Sequence, residues 1–462
     1  MTDSDLTRTV SRSGDDRGVA DDDAELPRLV VAFECRRPLV AGLRVSLAGF
    51  DELGVGRGAD RGVQRSGRRI DLAINDDELS RRHIQLRRHH AGWELRDVGS
   101  KNGTVVNGDP AVRATLTDGD VVEIGSTMLV FREAASRASV LASGDLDLAV
   151  ETLTPAVFRT LSLELEQRTA ELAKIGPSKV TVLVRGETGT GKELVARAIH
   201  ELSGRRGAFV AINCGALPRT LVESELFGYR RGAFSGARED REGLVRRAEG
   251  GTLFLDEIAE LPDESQVALL RVLQEGEVRP IGGSDVVAVD VRVVAATHQD
   301  IVARIADGRF RQDLHARLAG HEVMLPPLRA RREDVGTLVA AILQRIGGDV
   351  RHVTFHRHAA RALLGYAFPN NVRELEQALR AAVPLASGGE IRLEHLPEAM
   401  RGQLPASSAW RPEDHALRER LLELLRDMRG NVTAVGRVMD KAPIQIRRWC
   451  RRFGIDLSAF RG

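Results

Sequence analysis

Aromatic residues are scarce in this chain, only 4% of its 462 residues. That shortage suits helices built mainly from alanine, leucine and arginine. Cysteine is scarcer still: Cys35, Cys214 and Cys450 lie far apart, in no metal-type spacing. An odd, scattered set excludes a disulfide framework and points to a reducing compartment. No stretch approaches the roughly 18 consecutive apolar residues of a membrane span. The first residues, "MTDSDLTRTVSRSGDDRGVADDD", hold no apolar run, so no secretory signal is expected. Net charge is nearly absent too, +1 despite 29% charged residues. Any basic surface for nucleic acid must therefore be local. A soluble, cytoplasmic protein is expected.

The length suggests about three domains. Residues 1–27 are polar and predict a disordered tail. From 28 to 132, short alternating segments ("LRVSL", "HIQLRR", "WELRDV", "VVEIG", "MLVF") are punctuated by Asn102-Gly103, Asn107-Gly108 and Asp118-Gly119. Such spacing predicts a β-sandwich. A Ser/Ala-rich linker spans 133–150. From 151 to 402, strands alternate with helical patterns and then give way to helices, which predicts a parallel α/β domain with a helical lid. After a second linker, 403–414, residues 415–462 read as an all-α unit.

Two motifs point to nucleotide chemistry. "GETGTGKE" (Gly186, Glu187, Thr188, Gly189, Thr190, Gly191, Lys192, Glu193) follows an apolar strand and opens a helix. Glycines let backbone N–H groups turn towards phosphate oxygens, and the helix N-terminus adds positive potential. Lys192 would reach the β- and γ-phosphates. Glu193 stands where a phosphate-binding loop normally has Ser or Thr. Downstream, "GGTLFLDE" delivers Asp256 and Glu257 to a strand end. Asp256 suits a Mg²⁺ shell, and Glu257 suits deprotonating an attacking water. ATP with Mg²⁺ is the expected cofactor.

Between these motifs runs "LFGYRRGAFSGA", a loop with a phenylalanine held among glycines. Together they resemble the AAA+ domain of bacterial sigma-54-dependent transcription activators, in which a loop ending in Glu, as at Glu193, is usual. The resemblance implies that Gly232, Ala233, Phe234, Ser235, Gly236 and Ala237 match the family's GAFTGA loop, which grips sigma-54, with Ser235 in place of Thr. It also implies that Asn213 is a switch holding Glu257. "FRQDLHARL" would bring Arg311 and Arg317 to a neighbouring subunit's γ-phosphate, so a ring, a hexamer when active, is expected. Thr297 matches a first nucleotide sensor and Arg373, in "PNNVREL", a second. His298 departs from the family's usual Asn, which implies altered hydrolysis.

The front region carries "GVGRGADR", "ELSRRHIQL" and "DVGSKNGT", and resembles the forkhead-associated (FHA) domain, a phosphothreonine-peptide reader. By that resemblance Arg57 and Ser80 bind the phosphate, Arg81 and Lys101 add donors, and Asn102 holds the peptide backbone, with His83 and Gly56 supporting the loops. Charge-assisted bonds of this kind are what a dianionic phosphate demands. The peptide would come from a partner or from the chain's own tail, at Thr7 or Thr9. The C-terminal stretch resembles the Fis-type helix-turn-helix of the activator family. Its last helix presents Gln445, Arg447, Arg448 and Arg451 to DNA, upstream of a promoter, while Trp449 packs inwards.

The expected activity is thus ATP-dependent activation of sigma-54 RNA polymerase, gated by phosphothreonine recognition and anchored on DNA. Two other readings stay open at this point: a phosphopeptide-gated DNA-binding regulator that does not drive sigma-54, and an AAA+ remodeller of another protein.

Overall fold

The structure is a computed structural model. It describes residues 27–90, 92–133, 144–149, 158–347, 350–402, 412–428, 430–439 and 441–452, with Ile455 and Phe460. The tail with Thr7 and Thr9, and most of the two linkers, lie outside the described residues.

The front domain is a β-sandwich of two sheets. One has the order β13-β2-β1-β12-β11-β8-β9, formed by Leu146–Asp147, Leu43–Ser46, Arg28–Glu34, Thr127–Arg132, Val121–Ile124, Thr104–Val106 and Asp109–Pro110 respectively. The other runs β10-β7-β6-β3-β5-β4, formed by Arg113–Thr115, Gly92–Asp97, Ile84–His89, Glu52–Arg57, Arg69–Ile74 and Gly62–Ser66. Asn107 and Gly108 both adopt positive φ, 52° and 87°, in the two-residue turn joining β8 to β9. That is the turn chemistry an Asn-Gly pair favours. Leu146–Asp147, inside the stretch expected to be a linker, pairs with β2 as an edge strand.

The second domain holds a five-stranded parallel sheet in the order Phe209–Asn213, Thr252–Asp256, Arg292–Thr297, Val182–Arg185, His321–Met324. Its three central strands are buried on both faces: Leu253 and Leu255 enter one core and Phe254 the opposite one, and Val293 and Ala295 alternate with Val294 and Ala296 in the same way. Continuous apolar strands are what a helix-covered parallel sheet requires. Register brings Asn213 level with Asp256 and Arg185 level with Thr297, so the chemistry-bearing residues share the carboxyl edge.

A lid of helices follows, chiefly Val335–Ile346, Arg357–Gly365 and Asn371–Leu385. The sandwich is docked on it. Val30, Ala32, Phe33, Val121, Met128 and Val130 belong to the same buried cluster as the lid's Val335, Val339, Leu363 and Phe355. Alternate residues of the same strands, Leu29, Val31, Val122, Leu129 and Phe131, fill the sandwich interior. A register shift between Val31 and Phe33 lets Ala32 and Phe33 both face the lid. The helix Val335–Ile346 lies flush on the sheet: a Cβ at Gly336 would come 1.9 Å from the Ala32 carbonyl oxygen.

The C-terminal unit has helices Pro412–Asp427, Val432–Val438 and Pro443–Arg452 around Leu421, Leu425, Val435, Ile446 and Cys450. Among the described residues no helix is long and apolar enough to cross a membrane.

Candidate functional site

The loop after Val182–Arg185 turns on three glycines with positive φ: Gly186 (153°), Gly189 (79°) and Gly191 (103°). At Gly189 a Cβ would meet the Asn370 carbonyl oxygen at 2.1 Å, so only glycine fits beneath the lid. Lys192 begins the following helix, and its Nζ donates to the Gly186 carbonyl at 2.9 Å. Burial lowers the pKa of Lys192, against the pull of Glu257 and Asp256. Glu193 is half-exposed and paired with Arg197 at 2.7 Å.

The lid grips this loop. Arg329 binds the Glu187 carboxylate with contacts of 2.8 and 2.5 Å, and the Asn371 amide donates to Glu187 Oε2 (3.2 Å) and the Thr188 carbonyl (3.0 Å). Arg331 donates to the Thr190 carbonyl at 3.2 Å, and the Val372 N–H to the Gly189 carbonyl at 2.9 Å. Arg373 stands against Gly189 as well. Asn370 has φ −104°, a conformation open to any residue. Arg329, Arg331 and Asn371 were not singled out by sequence reasoning. Arg329 and Arg331 lie in the arginine run "PLRARRED", and Asn371 lies in "PNNVREL" beside Arg373.

Asp256 and Glu257 leave the neighbouring strand together. Glu257 takes the left-handed conformation, φ 51° and ψ 48°, and donates its N–H to Asp256 Oδ1 at 3.1 Å. Burial raises the pKa of Asp256, helped by Glu257 and opposed by Lys192. The expectation that Asn213 holds Glu257 needs correction for this state of the molecule. Its amide faces Asp256 Oδ2 at 3.4 Å, because strand register sets it level with Asp256. Glu257 Oε2 instead contacts His298 Nδ1 at 2.7 Å. Thr297 is fully buried, and its hydroxyl accepts from Gln299 N–H at 3.0 Å.

No cluster of three His, Cys, Asp or Glu side chains suited to a metal occurs among the described residues. A half-buried carboxylate such as Asp256 beside a phosphate-type loop is nonetheless what Mg²⁺ uses, since phosphate oxygens and water complete its shell.

The remaining expected residues lie elsewhere. Arg311 is folded onto Asp313 at 2.6 Å and Arg317 is exposed, both on the surface helix region Gln312–Leu318. The loop 232–237 is closed by Gly232 N–H to the Ala237 carbonyl (2.9 Å), with Gly232 and Gly236 at positive φ. Phe234 at its tip remains 43% exposed and touches Tyr229 edge-on at 4.9 Å. In the sandwich, Ser80 is the meeting point. Its hydroxyl accepts from Lys101 N–H (3.0 Å), and its carbonyl from Arg57 N–H (2.9 Å). Asn102 donates to the Glu78 carbonyl at 2.7 Å, and buried His83 links Ser80 to Gly103. A Cβ at Gly56 would strike the Arg81 carbonyl at 2.0 Å. The structure thus brings Arg57, Ser80, Arg81, Lys101 and Asn102 onto adjoining loops, with Arg57, Arg81 and Lys101 exposed.

At the C-terminus Asn431 caps Val432–Val438 through Thr433 and Ala434 N–H, and Trp449 packs on the small core. On the last helix Gln445 is half-buried and Arg447 exposed; the side chains of Arg448 and Arg451 lie outside the described residues.

Comparison with known proteins adds three domain matches: a sigma-54 interaction domain over residues 159–324, an AAA+ ATPase lid domain over 329–411 and an FHA domain over 54–125. The response regulator protein PilR of Pseudomonas aeruginosa is 43% identical over 298 residues, 62% of this chain and 67% of PilR. The transcriptional regulatory protein ZraR of Klebsiella oxytoca is 36% identical over 431 residues, 80% of this chain and 96% of ZraR. The crystal structure of NtrX from Brucella abortus in complex with ADP matches with a TM-score of 0.51 at 29% identity, over 64% of this chain and 69% of that one.

Proposed function

The chain belongs to the sigma-54-dependent transcriptional regulators and is an AAA+ ATPase with an FHA domain, and from that premise we propose that it remodels sigma-54 RNA polymerase at DNA-anchored sites under phosphothreonine control. The observation that carries the reading is Phe234, an exposed apolar tip on a glycine-hinged loop between the Lys192 and Asp256 motifs. A large apolar side chain in that place suits a partner surface better than a core.

Bound ATP with Mg²⁺ supplies the phosphoanhydride whose hydrolysis powers the cycle. The loop N–H groups and Lys192 would neutralise phosphate charge, and Asp256 would hold the cation. Glu257 takes the proton of the attacking water. Thr297 and Arg373 flank the loop as sensors. Arg311 would leave Asp313 to reach the neighbouring protomer of a hexamer, with Arg317 beside it, so hydrolysis depends on assembly. Gln445, Arg447, Arg448 and Arg451 meet DNA from the last helix of a helix-turn-helix. Arg57, Ser80, Arg81, Lys101 and Asn102 take the phosphothreonine.

Gating has a physical route. Within one short segment, Arg329 and Arg331 hold the phosphate-binding loop, while Glu333 holds the sandwich, pairing with Arg132 at 2.5 Å. Asp334 accepts from Thr160 and Leu161, each at 2.6 Å. The phosphopeptide domain is therefore fastened two residues from a contact with the nucleotide loop.

An in vitro transcription assay with sigma-54 polymerase tests the main reading. Lys192→Ala and Phe234→Ala should each abolish open-complex formation while DNA binding persists. Undiminished transcription by either variant would reject it.

A further inference from the structure

The sheet register decides which side chain can reach Glu257. Asn213 sits level with Asp256, one residue short of Glu257. On the other side, Leu255 pairs with Ala295. The residues just beyond that pair bring the end of the strand Arg292–Thr297, and His298 after it, beside Glu257. His298 Nδ1 lies 2.7 Å from Glu257 Oε2, and the His298 backbone N–H donates to the same oxygen at 3.3 Å. The other carboxylate oxygen, Oε1, faces the phosphate-binding loop, 3.9 Å from Lys192 Nζ.

We infer that His298 is the positioning residue for Glu257: its Nδ1–H and backbone N–H hold Oε2, so that Oε1 is the oxygen turned to the nucleotide side. The inference rests on the reading of Glu257 as the base. It assigns the two nearby polar side chains different clients, His298 to Glu257 and Asn213 to Asp256. It also says which replacement could keep the hold. Nδ1 of histidine and Nδ2 of asparagine are each bonded to Cγ, so both place an N–H donor the same number of bonds from the backbone. Nδ1 carries a proton in one neutral tautomer and in the imidazolium, and either donates to a carboxylate. The left-handed backbone of Glu257 makes such a hold useful, since that conformation is costly for a residue with a side chain and needs fixing by its surroundings.

The test uses the full chain, with steady-state ATP hydrolysis and a separate fluorescence titration of nucleotide binding. His298→Ala should lower kcat on the order of ten- to a hundredfold, the scale of a misplaced catalytic group, with nucleotide affinity unchanged. His298→Asn should recover most of that loss, and His298→Gln, with its donor one bond further out, should not. In a Glu257→Gln background, His298→Ala should have no further effect on the residual rate, because the residue acts through the carboxylate. Full activity of His298→Ala, equal rescue by Gln and Asn, or an undiminished effect of His298→Ala in the Glu257→Gln background would each overturn the inference. Unimpaired hydrolysis by Glu257→Gln alone would instead overturn the reading of Glu257 as the base.

Discussion

The two sheets of the sandwich face different surroundings. In β1 and β12 every residue is buried, because one face fills the sandwich and the other rests on the lid. In β6 and β7 buried residues alternate with less buried ones, and the neighbouring strands of that sheet carry outer-face pairs such as Arg69–Glu52 between β5 and β3. One sheet fastens the domain to the ATPase, and the other leaves it room at the surface. Arg57 ends β3 in the freer sheet, and Ser80 lies in the segment between β5 and β6 of that sheet. Of the residues proposed to take the phosphothreonine, Arg57 and Ser80 thus belong to the sheet that is not docked on the lid.

The contrast can be broken most strongly at its buried ion pair. Arg132 and Glu333 are both almost wholly buried, so Arg132→Ala removes the guanidinium bound to an interior carboxylate. A loss of about 3–5 kcal/mol is expected in denaturant unfolding, against about 0–1 kcal/mol for Arg69→Ala on the open sheet. Equal losses at the two positions would erase the distinction. A smaller change comes from Gly336→Val. The new side chain has no space against the Ala32 carbonyl, so the sheet and lid helix must part, costing on the order of 1–3 kcal/mol. Proteolysis between the two domains should speed up in that variant and stay unchanged in Gly62→Val, where a Cβ meets open space.

A further expected effect depends on pH. Burial, with Glu333 adding repulsion, pushes the Asp334 carboxyl up to about 6, against Arg331 and Thr160. A raised carboxyl contributes stability that is present in full below its ordinary pKa and lost as pH rises through its folded value. The parent should therefore gain thermal stability relative to Asp334→Asn as pH falls from about 7 to about 4. A constant difference across that range would contradict the raised value.

Much of this was legible in the residues. The phosphate-binding loop, the Asp256–Glu257 strand end and the Ser80-centred loops depend on local spacing, which a sequence shows directly. The docking of the sandwich did not emerge, because it depends on two surfaces far apart in the chain. A trace was present in "RLVVAFEC" and "TMLVF", continuous apolar runs where a sheet with one wet face would alternate. His298 was noticed only as a departure from the family's asparagine. Its contact with Glu257 is a matter of which strands adjoin, and the chain order conceals that. For the same reason Arg329 and Asn371 read as ordinary lid residues until the fold set them against Glu187.

The central claim is that the state of the phosphopeptide site is felt at the nucleotide loop through the lid. The most direct measurement is the ATP hydrolysis rate of the full chain with and without a phosphothreonine peptide, in the parent, Arg57→Ala and Gly336→Val. The account predicts that the peptide changes the parent rate at least about twofold and leaves both variants unmoved, the first by loss of binding and the second by loss of coupling. A parent rate indifferent to bound peptide, or a response that survives in Gly336→Val, would contradict it.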